Sequence, residues 1–280
     1  MYRLPLREWA DSTVMFLRSN YRDYFRSISG VIEDVVEYFE AYLSFIPVAL
    51  FILILVIIAW KLAGRGVAIF TLVGLLLIVS MNIWDETLRT LALVLTSTFI
   101  ALLIGIPLGI LASRNDLAES ILRPILDFMQ TMPIFVYLLP AVMLFNIGVV
   151  PAVLATVVFS MPPAIRLTNL GIRQVPAEMI EAAASFGSTP FQMLAKVQLP
   201  LALPSIMAGV NQCIMLALSM SVIAAMIGAG GLGGIVYRAI TRLEIGSGFE
   251  GGVGVVIIAI ILDRITQSVG KEPPEKKGLN

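Results

Sequence analysis

Histidine is absent from this chain of 280 residues, and there is a single cysteine. Without histidine the commonest general base, most zinc sites and every Ser-His or Cys-His arrangement are excluded. Cys213 lies inside an apolar run, so no internal disulfide can form, and the thiol reads as a small buried residue. Charge is also sparse. Only 14% of residues are Asp, Glu, Lys or Arg, with 19 of each sign, which gives no electrostatic case for nucleic acid or for an acidic substrate. No G-x-x-x-x-G-K-S/T phosphate loop occurs, so the chain cannot be its own ATPase. The run GAGGLG at 228–233 fits G-x-G-x-x-G by letter, but it follows an apolar run and not a strand, and it reads as a helix end. No catalytic residue, no metal site and no bound cofactor is expected.

What the chain has in abundance is apolar sequence, at 58% of residues. That is too much for a soluble domain, and the predicted class is an all-α polytopic membrane protein. An unpaired charge at the bilayer centre costs about 3 kcal/mol, so charge gaps locate the crossings. Gaps from Glu40 to Lys61, Arg65 to Asp85 and Arg89 to Arg114 are each close to the roughly 20 residues that one crossing needs. The gap from Asp127 to Arg166 is about twice as long and is broken by NIGVVP at 146–151, so it holds two. A sixth span runs from about 206 to 228. A seventh, about 252 to 267, is cut short by Asp263 and Arg264.

Seven crossings with a cytoplasmic tail place the amino terminus outside and loops 61–66, 113–124 and 166–200 inside. Those loops and the tail hold Lys61, Arg65, Arg114, Arg123, Arg166, Arg173, Lys196, Arg264, Lys271, Lys276 and Lys277, as the positive-inside rule requires. Residues 1–44 are not a cleavable signal, because charges occupy the place of an apolar h-region. Within them Phe25, Ile28, Ile32, Val35, Phe39 and Tyr42 recur every three or four residues, which predicts an amphipathic helix in the interface or against the bundle. The expected organisation is therefore an outer segment 1–44, two spans in 45–87, a five-helix core in 88–270 with its loop at 166–200, and a tail 271–280.

The stretch EAAASFGSTPFQMLAKVQLP, 181–200, is the most polar part of that large inner loop. Pro176 suits a first helical turn and Gly187 a left-handed C′ position, predicting a helix over 176–186. Ser188 or Thr189 can cap a second helix starting at Pro190 and running to Pro200 and Pro204, where the chain returns to the membrane. Two short helices bent at a glycine make a knob.

The pattern E-A-A, three residues, Gly, nine residues, an aliphatic residue, one residue and Leu-Pro is met by Glu181, Ala182, Ala183, Gly187, Val197, Leu199 and Pro200. It resembles the EAA signature of ABC-importer permeases, and Val197 in place of the usual isoleucine is a small departure. The spans from about 88 to 268 are similar to the five-helix core of the type I importer fold, about two thirds of the chain. QTMPIFVYLLPAVMLFNIG, RLTNLGIRQVPAEMIEAAASFGST and MIGAGGLGGIVYRAI resemble glycine betaine and proline betaine permeases in particular. The resemblance implies a prokaryotic inner-membrane location and uptake of a quaternary-ammonium osmolyte by alternating access. It implies two permease copies, an extracytoplasmic binding protein, and two cytoplasmic ATPases that hold ATP and Mg. By position, Glu181, Ala182, Ala183, Phe186 and Gly187 would couple to the ATPase, and Gly228, Gly230, Gly231 and Gly233 would lie near the outer mouth.

Polar side chains inside apolar spans are the candidates for the pathway: Gln130, Asn211, Gln212 and Ser219 foremost. In lipid such groups more often face other helices and bond across them as packing. No intramembrane acid or base stands free, which suits transport by conformational change better than a proton relay. A permease for choline or an amino acid, and an ion-coupled secondary transporter, are the alternatives this reading leaves open.

Overall fold

The computed structural model describes residues 5–269; positions 1–4 and 270–280, including Lys271, Lys276 and Lys277 of the expected tail, lie outside the described residues. Among the described residues there are thirteen α-helices, one π-helical turn and no strand. In chain order they are α1 Leu6–Asn20, α2 Arg22–Phe45, α3 Val48–Ala63, α4 Arg65–Ser80, α5 Trp84–Arg114, α6 Asp116–Thr131, α7 Ile134–Phe145, α8 Val149–Arg173, α9 Ala177–Ser185 and α10 Pro190–Met193. The π turn Leu194–Gln198 follows, then α11 Leu199–Met226, α12 Gly231–Arg242 and α13 Ile245–Val269.

Four helices are long and apolar enough to cross a bilayer: α5, α8, α13 and the continuous 37-residue run Pro190–Met226. Two bent pairs, α2 with α3 at 98° and α6 with α7 at 93°, are apolar enough only when each pair is taken together, which gives four to six candidate crossings among the described residues. The seventh apolar segment is α4, whose 16 residues reach about 24 Å. Both bends fall at an X-Pro step, Ile46–Pro47 and Met132–Pro133, where the residue before proline is driven out of the helical region.

α8 is the centre of the bundle, packed between α5 and α11 through small residues. Gly105 faces Ala164, Gly109 faces Thr168, Gly171 faces Ser205 and Gly209 faces Ala164, so the helix backbones approach closely. Without a hydrophobic drive between helices in lipid, such close packing is what holds a bundle together. α13 lies on the far side of α11, and α3 and α4 lie against α13.

Three expectations are corrected. The helix beginning at Pro190 does not stop at Pro200 or Pro204 but continues to Met226. The π turn immediately before Pro200 widens the helix where the proline ring would otherwise meet the carbonyl four residues back. The gap from Asp127 to Arg166 breaks twice, at 132–133 as well as at 146–148, because Pro133 adds a bend before the expected turn. α13 runs through Asp263 and Arg264 to Val269, since Asp263 accepts a hydrogen bond from Asn211 of the neighbouring α11.

The amphipathic helix of the first segment is α2, and it lies against the bundle. Ile32 and Val36 are buried, and the Phe25 ring meets Phe145 edge-on at 5.2 Å. Arg89 Nε donates to Glu40 at 3.0 Å. Tyr42, expected on the apolar stripe, is 74% exposed; the stripe turns through Val36 and ends on Leu43 instead.

Candidate functional site

Two ends of the bundle can be told apart by their contacts. At one, Leu232 N–H donates to Thr90 Oγ1 at 2.8 Å and Arg89 meets Glu40, in the company of the 146–148 turn. At the other, Arg173 donates to Asp116 at 2.7 Å and to the Ala112 carbonyl at 2.9 Å, and lies 3.0 Å from Glu119. Asn169 also donates to Glu119 at 3.1 Å, and Arg166 to Asp127 at 2.6 Å. These bonds pin α6 to the end of α8, from which the knob springs.

The knob is built by local rules. Pro176 precedes the first turn of α9, and the helix ends at Phe186 with Gly187 at φ +76°. Ser188 N–H donates to the Ala183 carbonyl at 3.2 Å and Gly187 N–H to Ala184 at 2.9 Å, the paired bonds of a Schellman ending. Thr189 then caps α10 with a reciprocal box: its hydroxyl accepts from Gln192 N–H at 3.3 Å, and Gln192 Oε1 accepts from Thr189 N–H at 2.9 Å. Three residues, Phe186 to Ser188, thus make a stiff corner.

α9 buries none of its own residues. Its contacts are with α10 and the π turn, and it projects from the bundle. The anchor is Leu194, which is buried with Ile172, Ala202 and Ile206. A recess of about 360 Å³ separates the knob from the end of α5, lined by Arg114, Ser188, Pro190 and Gln198 among others.

Of the residues predicted for coupling, Glu181, Ala182, Phe186 and Gly187 are exposed together, and Ala183 is half-buried beneath them. Phe186 is 91% exposed. The sequence reading missed Phe191, which is 74% exposed in the first turn of the second helix. The signal was present, an aromatic residue in a polar loop directly after the capping Thr189–Pro190 pair. Two bare phenylalanines on a projecting, rigid knob are a surface that wants a partner.

The candidate pathway residues divide. Gln212 and Ser219 are exposed with Met215 along one face of α11. Asn211 is turned the other way: it donates to Asp263 Oδ1 at 2.8 Å and accepts from the Thr266 hydroxyl at 2.6 Å. Gln130 is half-buried in the last turn of α6, which packs on α5 and α8.

The glycine cluster divides as well. Gly228 and Gly230 form a loop with positive φ, in which a Cβ on Gly228 would lie 3.2 Å from Ile147. Gly231 and Gly233 are buried where α12 meets α5 and α11; a Cβ would collide with Thr90 Oγ1 at the first and with the Ser221 carbonyl at the second. Among the described residues no group of His, Cys, Asp and Glu could hold a metal ion.

Comparison with known proteins extends these observations to the whole chain. It is 53% identical to the glycine betaine transport system permease protein OpuAB of Bacillus subtilis, covering 95% of each chain. It is 52% identical to the glycine betaine/carnitine transport permease protein GbuB of Listeria monocytogenes over 96% of each. It is 50% identical to the glycine betaine/proline betaine permease ProW of Escherichia coli, covering 96% of this chain and 76% of that one. In fold it matches inward-facing structures of the MetNI methionine ABC transporter with a TM-score of 0.60 and 24% identity, over 65% of this chain and 91% of the other. Residues 105–271, which carry the knob, the π turn and α11, match the binding-protein-dependent transport system inner membrane component family. The chain belongs to that family, and it is the membrane-spanning permease subunit of an ABC importer.

Proposed function

We propose that this permease takes up glycine betaine, or a closely related quaternary-ammonium osmolyte, with a second copy of itself, two cytoplasmic ATPases and an extracytoplasmic binding protein. The observation that carries the mechanism is the knob: a rigid corner with Phe186 and Phe191 exposed, joined without a break to the membrane-crossing run Pro190–Met226. A displacement of the knob is therefore a displacement of α11. The substrate class rests on the near-complete overlap with relatives whose names specify glycine betaine.

In this reading Glu181, Ala182, Ala183, Phe186, Gly187 and Phe191 sit in a groove of the ATPase. Gln212 and Ser219 line the pathway beside Met215, and Gln130 approaches it from the side. The 228–230 loop, with its glycines, lies at the outer mouth. The amino terminus and segment 1–44 are outside, the spans of 45–87 are additions to the 88–270 core, and the tail 271–280 is cytoplasmic. The grouping of 113–124 with 166–200 at one end of the bundle supports that orientation. ATP and Mg belong to the ATPase. Closing of the two ATPases draws the knobs together, and the bundles rock to open the pathway on the other side.

The test is ATP-dependent uptake of labelled glycine betaine into vesicles containing the permease, its ATPase and its binding protein. Wild type takes up the label, and Glu181→Lys and Gly187→Trp, assembled in the membrane, do not. Uptake without any ATPase contradicts coupling by the knob. ATP turnover without betaine uptake leaves the coupling and reassigns the solute.

A further inference from the structure

Asp263 is a carboxylate placed inside a membrane-crossing helix, with its side chain only 19% exposed. An ionisable group so shielded in an apolar helix is costly and is retained where it has a task and a partner. Among the described residues its nearest cation is loosely placed, Arg264 Nε at 3.9 Å. The close partners are amides. Asn211 Nδ2 donates to Asp263 Oδ1 at 2.8 Å and Gln267 Nε2 to the same oxygen at 2.7 Å, while the Thr266 hydroxyl donates to Asn211 Oδ1 at 2.6 Å. Both ends of the Asn211 side chain are thereby committed to α13.

Cohesion does not require this network. Ile214 and Leu218 of α11 and Ile258 and Ile261 of α13 belong to one buried apolar cluster. Apolar replacements for a buried polar pair are often as stable or more so, and what the polar pair adds is a fixed register between the elements. Here the register joins two particular bodies. α11 is the same rod that carries the knob, and Asn211 lies about 18 Å along it from Leu199. α13 carries the two additional helices: Gly74 of α4 lies so close to it that a Cβ would meet Ile257 Cγ2 at 2.7 Å.

We propose that Asn211 and Asp263 are positioning residues for transport, forming the latch by which a displacement of the knob draws α13, and α3 and α4 with it, as one body with α11. The inference rests on the knob being the ATPase contact.

The experiment uses the complete transporter with labelled glycine betaine and reads ATP hydrolysis and solute taken up per ATP. Asn211→Leu and Asp263→Leu are expected to hydrolyse ATP within about twofold of wild type while uptake per ATP falls about tenfold or more. Asp263→Asn keeps the oxygen that Asn211 bonds and should stay within about threefold. Asn211→Asp alone sets two carboxylates face to face and uncouples; adding Asp263→Asn inverts the donor and acceptor and restores coupling. A fall in uptake and hydrolysis together, with their ratio unchanged, reduces the pair to ordinary packing and overturns the proposal. So does an Asp263→Asn variant as damaged as Asp263→Leu. Should the leucine variants fail to assemble, the Asn211→Asp variant and its rescue decide.

A second readout does not depend on the solute. Spin labels at Ala184 in α9 and Ser80 in α4, both exposed, should keep one distance with and without ATP in wild type and change distance in Asp263→Leu. An ATP-dependent distance in wild type overturns the latch. If the knob is not the ATPase contact, the Phe186→Ala, Phe191→Ala variant binds the ATPase normally, a failure distinct from any of these.

Discussion

The corner of the knob and the start of α12 both depend on glycine, for opposite reasons. At Gly187 there is no atom within 4 Å of where a Cβ would stand, and the demand is conformational, φ +76°. At Gly233 φ is ordinary, and the demand is space, since the Ser221 carbonyl already occupies the place of a Cβ. The knob is thus shaped by its own backbone and open to a partner, whereas the α12 end is shaped by its neighbours and closed. A region that projects from the bundle keeps its stability local, and a region buried in the bundle borrows it from packing.

Substitution can break this contrast. Gly233→Ala should do the most damage, overpacking α12 against α11 at about 3 kcal/mol, seen as a lower melting temperature in detergent and less assembled permease. The Phe186→Ala, Phe191→Ala variant should melt like wild type yet bind the ATPase about thirtyfold more weakly in a co-purification titration, the effect of removing about 2 kcal/mol of interface anchor. Gly187→Ala should cost about 1 kcal/mol of left-handed strain, confined to the knob: uptake falls severalfold while global melting is unchanged, and Gly187→Asn, which tolerates that conformation, is milder. Thr189→Ala should cost about 1 kcal/mol through the lost cap, with Thr189→Ser recovering it, measured as faster amide exchange at Gln192. Smallest of all, Arg89→Ala breaks an exposed ion pair with Glu40 and should shift melting by less than the equivalent of about 1 kcal/mol. Equal effects of Gly233→Ala and Gly187→Ala on melting would erase the distinction.

The sequence was most readable where structure is local. Gly187 and the Thr189–Pro190 step carry their own instructions, and the corner they predict is the corner found. It was less readable where a local rule met a compensating neighbour. Pro200 has the form of a helix stop, but a π turn ahead of it absorbs the steric conflict, and nothing in LAKVQ announces one. Met132–Pro133 was passed over because the charge gap around it is continuous, and hydropathy counts crossings without seeing bends. Least readable was Asn211, whose partner is 52 residues away; as one polar letter in an apolar helix it resembles Gln212, its neighbour about 100° round the helix. Only the packing of α13 distinguishes a bond between helices from a group facing open space.

The π turn at 194–198 has an angular consequence. It takes one residue more than an α-turn does while leaving the helices on either side in nearly the same phase. A helical wheel drawn through it from Phe191 to Gln212 therefore errs by one step, about 100°. The aim of the knob relative to the open face of α11 is therefore kept by the wide turn over Leu194–Gln198 and not by the number of residues in it. Removing one of them, with Pro200 relieved, would leave that aim intact and take away only the wide turn, separating where the knob points from how readily it yields.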